Sequence, residues 1–369
     1  MFSSKIKAKP AMNALSLIQK TQLTKRIDFK LQTRISAISS VLSGIVAVVL
    51  AFKGYGVWSL VTLTLLRYAL STLFLWLWNG WRPTFTFHYN SLKEMFGFGS
   101  KMLVSGLIDT VYKNIFLAVI GKYFSAAELG FYTRADTFKQ LPSMNFSNVI
   151  QRVSYPVLSS ISDDIPMLKA SYKKLIKSTM LISFVLMIGM AVVAKPLVLT
   201  LIGEKWLISA EYLQLLCFVG MFHPLQALNL NMLNVQGRSD LYLRLELITK
   251  LLTTPTIIIG IYFGIKVMIV GMIVNTLISY YLNSYWSGVF IGYSMLDQIR
   301  DIFPSLILAF CMGAIVFVAG QILHTSPLIT LTLQIILGSL ITIGIAEFVH
   351  LDSYTYLKDT IIQQIKKRK

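Results

Sequence analysis

Charged side chains lie inside long apolar runs of this sequence, and they are the residues most able to do chemistry. Asp109 and Lys113 are four positions apart. That spacing puts both on one face of a helix, where they can form an ion pair. The next run carries Arg134, Asp136 and Lys139. If these runs cross a bilayer, a charge at its centre costs at least about 2.5–3.5 kcal/mol, so each one needs a partner or a polar interior.

Basic residues outnumber acidic ones in these runs, and two interpretations of the excess are open. The charged and amide groups could join helices through buried ion pairs and hydrogen bonds. Alternatively, they line a hydrated, net-cationic cavity. We favour the cavity because an excess of buried positive charge is hard to explain as contacts between helices. An anionic ligand such as a pyrophosphate group would suit it, since arginine donates charge-assisted hydrogen bonds to phosphate.

The candidate residues follow from this interpretation. The candidate ligand-binding cations are Arg67, Lys113, Arg134, Lys139, Arg152 and Lys250. The candidate coupling or ion-pairing carboxylates are Asp109, Asp136 and Glu246. Amides accompany them in the same runs, at Asn145, Asn148, Gln151, Gln226, Asn229, Asn231 and Asn234.

Motifs of enzymatic chemistry are missing from the sequence. It contains no glycine-rich phosphate loop, no paired metal-ligand motif and no nucleophile elbow. We therefore predict no catalytic residue, no metal and no cofactor, and we expect the protein not to be an enzyme. A membrane glycosyltransferase is disfavoured because the connections between apolar runs are short. His223, beside Pro224, fits a packed, hydrogen-bonded histidine better than a proton relay.

The composition predicts which elements position these residues. Hydrophobic residues make up 55% of the chain, charged residues 14%, and the mean hydropathy is +0.66. Lipid suits such a chain better than water does. The runs have the roughly 20 residues that a helix needs to cross a bilayer, and they lack the alternation of a membrane barrel. We predict an all-α, polytopic membrane bundle with ten spans, at residues 36–53, 57–79, 96–121, 131–156, 175–202, 209–235, 240–263, 267–290, 303–323 and 327–349.

The formal net charge of +18 indicates topology and not nucleic-acid binding. Lysine and arginine recur on alternate connections, whereas a nucleic-acid surface would gather them on one domain with interleaved aromatics. Connections such as 169–177 and the ends of the chain are basic, while the intervening connections carry single lysines such as Lys122 and Lys266. The positive-inside rule therefore predicts that both termini are cytoplasmic. Segments 13–34 and 354–369 could both be surface helices on the anionic cytoplasmic leaflet. For the C-terminal segment, 354–369, an ordinary basic flank of the last span is the favoured interpretation.

Several short motifs add a resemblance that runs from about residue 13 to the end of the chain. Each motif is weak alone, but their order and spacing are specific. They are Arg26-Ile27-Asp28-Phe29-Lys30, Gly56-Val57-Trp58-Ser59-Leu60-Val61, Trp81-Arg82-Pro83, Leu129-Gly130-Phe131-Tyr132 with Ala135 and Leu141-Pro142, Tyr155-Pro156-Val157-Leu158-Ser159, Gly203-Glu204-Lys205-Trp206 and Gln236-Gly237-Arg238. The sequence resembles the polysaccharide flippases, of the O-antigen and lipopolysaccharide type, within the multidrug/oligosaccharidyl-lipid/polysaccharide exporter superfamily.

This resemblance implies an architecture of about fourteen helices, in two six-helix lobes and a final pair. The ten predicted spans look like the last ten, so the first four helices are expected to be absent. The glycine turns at Gly54 and Gly264 then look equivalent in the two lobes. The implied segments are an N-terminal remnant of a fourth helix at 1–35, the last pair of the first lobe at 36–80, a six-helix lobe at 96–290, the final pair at 303–349 and a basic cytoplasmic tail at 350–369.

The resemblance also implies the function. It predicts a flippase that moves polyprenyl-pyrophosphate-linked oligosaccharide across the bacterial inner membrane for surface polysaccharide or lipopolysaccharide synthesis. The expected partners are the lipid-linked oligosaccharide, membrane lipids, and the polymerase and glycosyltransferases of the same pathway, without nucleic acid. Two alternatives stay open: a cation-coupled exporter of drugs or small solutes on the same fold, and a truncated flippase without activity. The sequence leaves the saccharide, the coupling ion and the oligomeric state undecided.

Overall fold

The computed structural model describes residues 16–23, 29–79, 110–112, 114–323 and 325–367, together with Tyr89, Lys93 and Phe96. For residues 29, 149, 152, 153, 156, 239 and 360–367 it describes the backbone alone. The described part consists of helices and turns and contains no strand. The chain divides into two compact units, residues 1–100 and 101–369. The predicted all-α fold is confirmed.

The first unit is built on a helical hairpin of α1 (Phe29–Phe52) and α2 (Val57–Trp78). The turn between them requires glycine, because Gly54 and Gly56 have φ angles of +80° and +47° that side chains rarely tolerate. A short helical segment, residues 16–23, packs beside the hairpin, where the Asn79 side chain donates a hydrogen bond of 3.2 Å to the Gln19 carbonyl. Its apolar contacts are formed by Leu23, Ile35 and Leu75.

The second unit contains the other helices. They are α3 (Asn114–Tyr123), α4 (Ala126–Ser159), α5 (Ile165–Val192), α6 (Ala194–Leu201), α7 (Leu207–Gly220), α8 (His223–Val235), α9 (Ser239–Phe263), α10 (Ile265–Ile291), α11 (Met295–Ile322), α12 (Pro327–Phe348) and α13 (Asp352–Lys367). A 3-10 turn, Glu204–Trp206, precedes α7. Gly264, with a φ of +98°, forms the tight turn between α9 and α10.

Two prolines set the points at which long apolar runs break into consecutive helices. Proline lacks an N–H group, and its ring crowds the carbonyl four residues earlier. The carbonyl opposite Pro196 belongs to Val192, where α5 ends. The carbonyl opposite Pro224 belongs to Gly220, where α7 ends. The break predicted at Lys195-Pro196 is therefore found, and a second one falls beside His223.

Eight helical stretches of the described part are long and apolar enough to cross a membrane, one of them the combined stretch Glu204–Val235. They correspond to the first, second and fifth to tenth predicted spans. The fourth forms α4, which has 34 residues but is too polar to count among the eight. Most of the third, 96–121, lies outside the described residues, so the total of ten spans stays a prediction.

Ionic contacts tie the predicted basic connections together at one end of the second unit. The Lys173 ammonium lies 3.0 Å from Asp301 of α11, and Lys177 lies 2.7 Å from Asp352 of α13. Lys169 donates a hydrogen bond to the Gly292 carbonyl, just after α10. Connections that the sequence assigns to one side of the membrane thus meet at one end of the bundle.

The centre of the second unit holds a buried polar hub on α8. The Asn229 side-chain oxygen accepts hydrogen bonds from Tyr172 of α5 at 3.1 Å, Ser287 of α10 at 2.5 Å and Gln298 of α11 at 3.2 Å. Its amide nitrogen faces the Gln298 oxygen at 3.3 Å and also donates to the Leu225 carbonyl. All four side chains are fully buried. This hub joins four helices through one amide.

Replacing Asn229 with leucine tests the hub. The change leaves the Tyr172 and Ser287 hydroxyls and the Gln298 amide without their shared acceptor, and an unsatisfied buried polar group costs about 1–3 kcal/mol. Three donors are affected, so we expect Asn229→Leu to lower the free energy of unfolding in mixed detergent micelles by at least that amount. Asn145→Leu is the control, because Asn145 is exposed and bonds to the carbonyl of its own helix at Leu141. Equal losses in the two variants would contradict the role of the hub.

Candidate functional site

A polar cavity of about 330 Å³ lies in the second unit, between α4, α8 and α9. The side chains that wall it are uncharged, with the exception of Glu246 and the titratable His223. They are Met144, Ser147, Asn148 and Gln151 from α4; His223, Gln226, Ala227, Leu230 and Asn231 from α8; and Tyr242 and Glu246 from α9. Its volume is at the lower end of the range of ligand sites in proteins, about 300–1,000 Å³.

Helical spacing explains how each helix presents its polar groups to this cavity. Positions three, four, seven or eight apart lie on one face of a helix. The α8 residues from His223 to Asn231 follow this spacing, and so do Tyr242 and Glu246 on α9. Each helix thus presents its wall residues to the cavity as one aligned stripe.

Two amides of α8 differ in how their hydrogen bonds are used. Gln226 donates a hydrogen bond of 3.0 Å to the Thr276 carbonyl of α10, which fixes its side chain at the wall of the cavity. The amide nitrogen of Asn231 is buried and has no hydrogen-bond partner among the described residues. An unsatisfied buried donor is costly. Asn231 is therefore the wall residue best prepared to bind a ligand oxygen.

Lys139 is the most deeply buried of the described candidate cations. Its ammonium lies 2.6 Å from the Asp136 carboxylate, and the two side chains are 6% and 14% exposed. A Cβ placed on Gly220 would lie 2.5 Å from Met187 Cε and 3.1 Å from Lys139 Cγ, so the glycine at the end of α7 leaves room for both side chains. His223 is within electrostatic reach of both charges. The pair lies close to the wall of the cavity.

Lys250 and Glu246 form a second ion pair, on α9. Their charged groups are 3.4 Å apart across one helical turn, and the side chains are 19% and 33% exposed. The Lys250 ammonium also lies 5.4 Å from the centre of the Tyr112 ring. Since Glu246 walls the cavity, this pair brings a second cation near it.

The other candidate residues have different surroundings. Arg134 is exposed, and its guanidinium lies 5.5 Å from the centre of the Trp206 ring in a cation–π contact. Arg67 is exposed on α2, in the first unit. Arg152 belongs to α4, but its side chain is outside the described part. Asp109 and Lys113 also lie outside the described residues.

Sequence reasoning found only part of the cavity wall. It singled out Asn148, Gln151, Gln226, Asn231 and Glu246, but it treated Asn229 as equivalent to them, although Asn229 lies in the buried hub. It missed Ser147 and Tyr242. Tyr242 precedes Glu246 by four residues, and this spacing was the signal that could have found it.

The family of polysaccharide biosynthesis proteins matches residues 6–211 of the chain, which is more than half of its length. The chain belongs to this family. The expectation drawn from the short motifs is therefore confirmed.

Curated relatives of this family member act in the synthesis of different polysaccharides. This chain is 28% identical over 221 residues to the teichuronic acid biosynthesis protein TuaB of Bacillus subtilis, and the match covers 59% of this chain and 46% of TuaB. It is 27% identical over 207 residues to the lipopolysaccharide biosynthesis protein WzxC of Escherichia coli, covering 55% and 42%. It is 24% identical over 263 residues to the succinoglycan biosynthesis transport protein ExoT of Rhizobium meliloti, covering 70% and 53%. The chain thus spans about half the length of these relatives.

A solved structure shares the fold of this family member. The lipid II flippase MurJ, in an inward closed conformation, superposes with a TM-score of 0.67 over 86% of this chain and 68% of MurJ. The sequence identity is 15%. The likeness shows that the two chains share a fold.

The Asp136–Lys139 pair can be tested by removing its members singly and together. Asp136→Asn leaves a buried ammonium without a counter-ion, which costs up to about 3–5 kcal/mol of unfolding free energy. The double variant Asp136→Asn/Lys139→Met removes both charges, so we expect it to recover most of that loss in mixed-micelle unfolding. The exposed pair Glu347–Lys358 is the control, and Glu347→Gln should cost far less than Asp136→Asn, because water screens an exposed ion pair. Additive losses in the double variant would show that the two charges do not interact.

Proposed function

We propose that this chain moves polyprenyl-pyrophosphate-linked oligosaccharide across the bacterial inner membrane, as a flippase of surface-polysaccharide or lipopolysaccharide synthesis. The observation that carries the proposal is the polar cavity between α4, α8 and α9, in a membrane chain of the polysaccharide biosynthesis family. The names of its relatives support the class of substrate, since they describe the synthesis or transport of polysaccharides.

The wall of the cavity fits the chemistry of a saccharide. Sugars present many hydroxyl groups, each of which both donates and accepts hydrogen bonds. Asn148, Gln151 and Asn231 offer amide donors and acceptors, and Ser147 and Tyr242 offer hydroxyl groups. These neutral side chains can bind a sugar without the large desolvation cost of buried charges. A polar path of this kind lets the saccharide leave water while the polyprenyl tail stays in lipid.

The pyrophosphate group needs positive charge, and we propose that the candidate cations supply it. They are Arg67, Lys113, Arg134, Lys139, Arg152 and Lys250. Lys139 and Lys250 each lie beside a carboxylate, Asp136 and Glu246. This pairing keeps the cations neutralised without ligand, and an arriving pyrophosphate would compete with the carboxylates for them. Such an exchange would couple ligand binding to a change in the contacts of α4 and α9.

We also propose the placement of the chain in the cell. The basic connections that meet at the beginning of α5 would face the cytoplasm, with both termini on that side. The lipid-linked substrate is made by glycosyltransferases and its product is used by a polymerase, so these enzymes are the proposed functional partners. No catalytic step is assigned to the chain itself.

Deleting the gene in the bacterium that makes the protein tests the proposal without knowledge of the saccharide. We expect less surface polysaccharide and an accumulation of lipid-linked repeat units that an externally added glycosidase cannot reach. Both defects should be reversed by the gene supplied in trans. An unchanged distribution of repeat units, combined with new sensitivity to cationic compounds, would instead identify the cation-coupled exporter.

The cavity itself is tested by variants in the same strain. Asn148→Leu and Asn231→Leu each remove an amide that we propose binds a sugar hydroxyl, and a neutral hydrogen bond of this kind corresponds to about a threefold to tenfold effect. We expect the rate of surface-polysaccharide formation to fall by that factor at equal protein abundance. Asn145→Leu, at a position of α4 that does not wall the cavity, should leave the rate unchanged. Normal export by both cavity variants would exclude the cavity as the saccharide path.

A further inference from the structure

A second cavity of about 330 Å³ lies between the beginning of α5 and the beginning of α13, and it shares no wall residue with the polar cavity. Three lysines wall it, Lys173, Lys174 and Lys177. Their spacing of one, three and four residues puts all three on the same side of α5. Asp352, Ser353 and Tyr356 of α13 form the facing wall.

The second cavity lies where the last apolar span ends. Helix α12 ends at Phe348, whose side chain is 87% exposed, and α13 begins four residues later. Leu351, Tyr354 and Leu357 pack on a small core that contains Leu181, Leu308 and Ala346. This apolar contact fixes the first turns of α13 against the ends of the spans. The cavity therefore lies at the end of the apolar spans, where we expect the lipid headgroups.

The net charge around the second cavity is positive when the ion pairs of its lysines are taken into account. Lys177 pairs with Asp352 at 2.7 Å and Lys173 with Asp301 at 3.0 Å, while the Lys174 ammonium lies 5.8 Å from the centre of the Tyr356 ring. Three ammonium groups thus face two carboxylates. The hydrogen bond from Lys177 lowers the pKa of Asp352, which stays ionised near neutral pH. Each ammonium has three N–H donors, so the ion pairs leave donors for a further anion.

We propose that the second cavity binds the headgroup of an anionic phospholipid from the surrounding bilayer. The phosphodiester would accept hydrogen bonds from Lys174 and Lys177, and the Ser353 side chain lies at the same wall. The acyl chains would lie along the apolar surface of the neighbouring spans. The bound lipid would join α5 to α13, which contact each other here through the Lys177–Asp352 pair and through Lys174 and the Tyr356 ring. This site is independent of the molecule that is transported.

Lipid binding to the purified full chain tests the proposal directly. The chain in neutral detergent is titrated with phosphatidylglycerol or phosphatidylcholine, and bound lipid is counted by native mass spectrometry. We expect one phosphatidylglycerol to bind with higher affinity than phosphatidylcholine. Lys174→Gln/Lys177→Gln should lower that affinity at least about tenfold, because it removes two charged donors. Lys122→Gln/Lys205→Gln removes the same charge from exposed positions away from the cavity and should leave the affinity unchanged.

A variant that removes a negative charge from the second cavity, Asp352→Asn, separates an effect on lipid binding from an effect on folding. Asp352→Asn breaks the same ion pair as Lys177→Gln, so both variants should weaken the contact of α13 to a similar degree. Their effects on the lipid should differ, since Asp352→Asn releases the Lys177 ammonium and removes a competing carboxylate. We expect tighter phosphatidylglycerol binding in Asp352→Asn and weaker binding in Lys177→Gln. Weaker binding in both would overturn the proposal.

Two further titrations identify the source of the phosphate. Inorganic phosphate should not displace bound phosphatidylglycerol at equal concentration, because it has no acyl chains to hold it at the site. Undecaprenyl pyrophosphate has the polyprenyl-pyrophosphate group of the proposed transport substrate. It should displace bound phosphatidylglycerol only in proportion to its own concentration. Displacement by substoichiometric undecaprenyl pyrophosphate, lost in the Lys174→Gln/Lys177→Gln variant, would assign the cavity to the transported lipid and overturn the bilayer-lipid proposal.

Discussion

Inside a bilayer a polar group has no water with which to form hydrogen bonds, so each one must find a partner within the protein. The Asn229 side chain meets this requirement for three other groups at once, because Tyr172, Ser287 and Gln298 all donate to its oxygen. These partners lie on three different helices, α5, α10 and α11. Apolar contacts between helices in lipid are weakly specific, since lipid tails are as apolar as leucine. The hub therefore selects one arrangement of four helices among many of similar apolar burial.

Helix α8 carries this hub on one side and the polar cavity on the other. Asn229 and Asn231 are two residues apart, which turns their side chains about 200° from each other around the helix. The break at Pro224 separates α8 from α7. It ends α7 at Gly220, where the missing side chain leaves room for the stem of Lys139. A hydrogen-bonded frame on one side of α8 thus holds the cavity wall on the other.

The charges near the cavity are arranged in pairs, which resolves the question of how buried cations are tolerated. Lys139 is balanced by Asp136 on the same helix, and Lys250 by Glu246 on α9. Of the two interpretations of the charged runs, ion pairing is therefore realised at both places. It does not exclude a role for the lysines in binding, because a pair that a ligand can open keeps the empty site stable. A separate group of basic residues, Lys173, Lys174 and Lys177, converges at the end of the bundle.

The sequence by itself determined the features that depend on local spacing. Apolar runs defined most of the spans, Pro196 marked the break after α5, and spacings of three or four residues placed Lys139 beside Asp136 and Lys250 beside Glu246. Only the tertiary structure decided which polar residues face a cavity and which face a neighbouring helix. Asn229 and Asn231 are alike in the sequence, and Arg134 meets Trp206 across 72 positions of the chain. In a membrane protein the lipid-facing and inward-facing surfaces are both apolar. The hydrophobic pattern therefore does not reveal which face of a helix is buried, and the packing of the helices has to decide it.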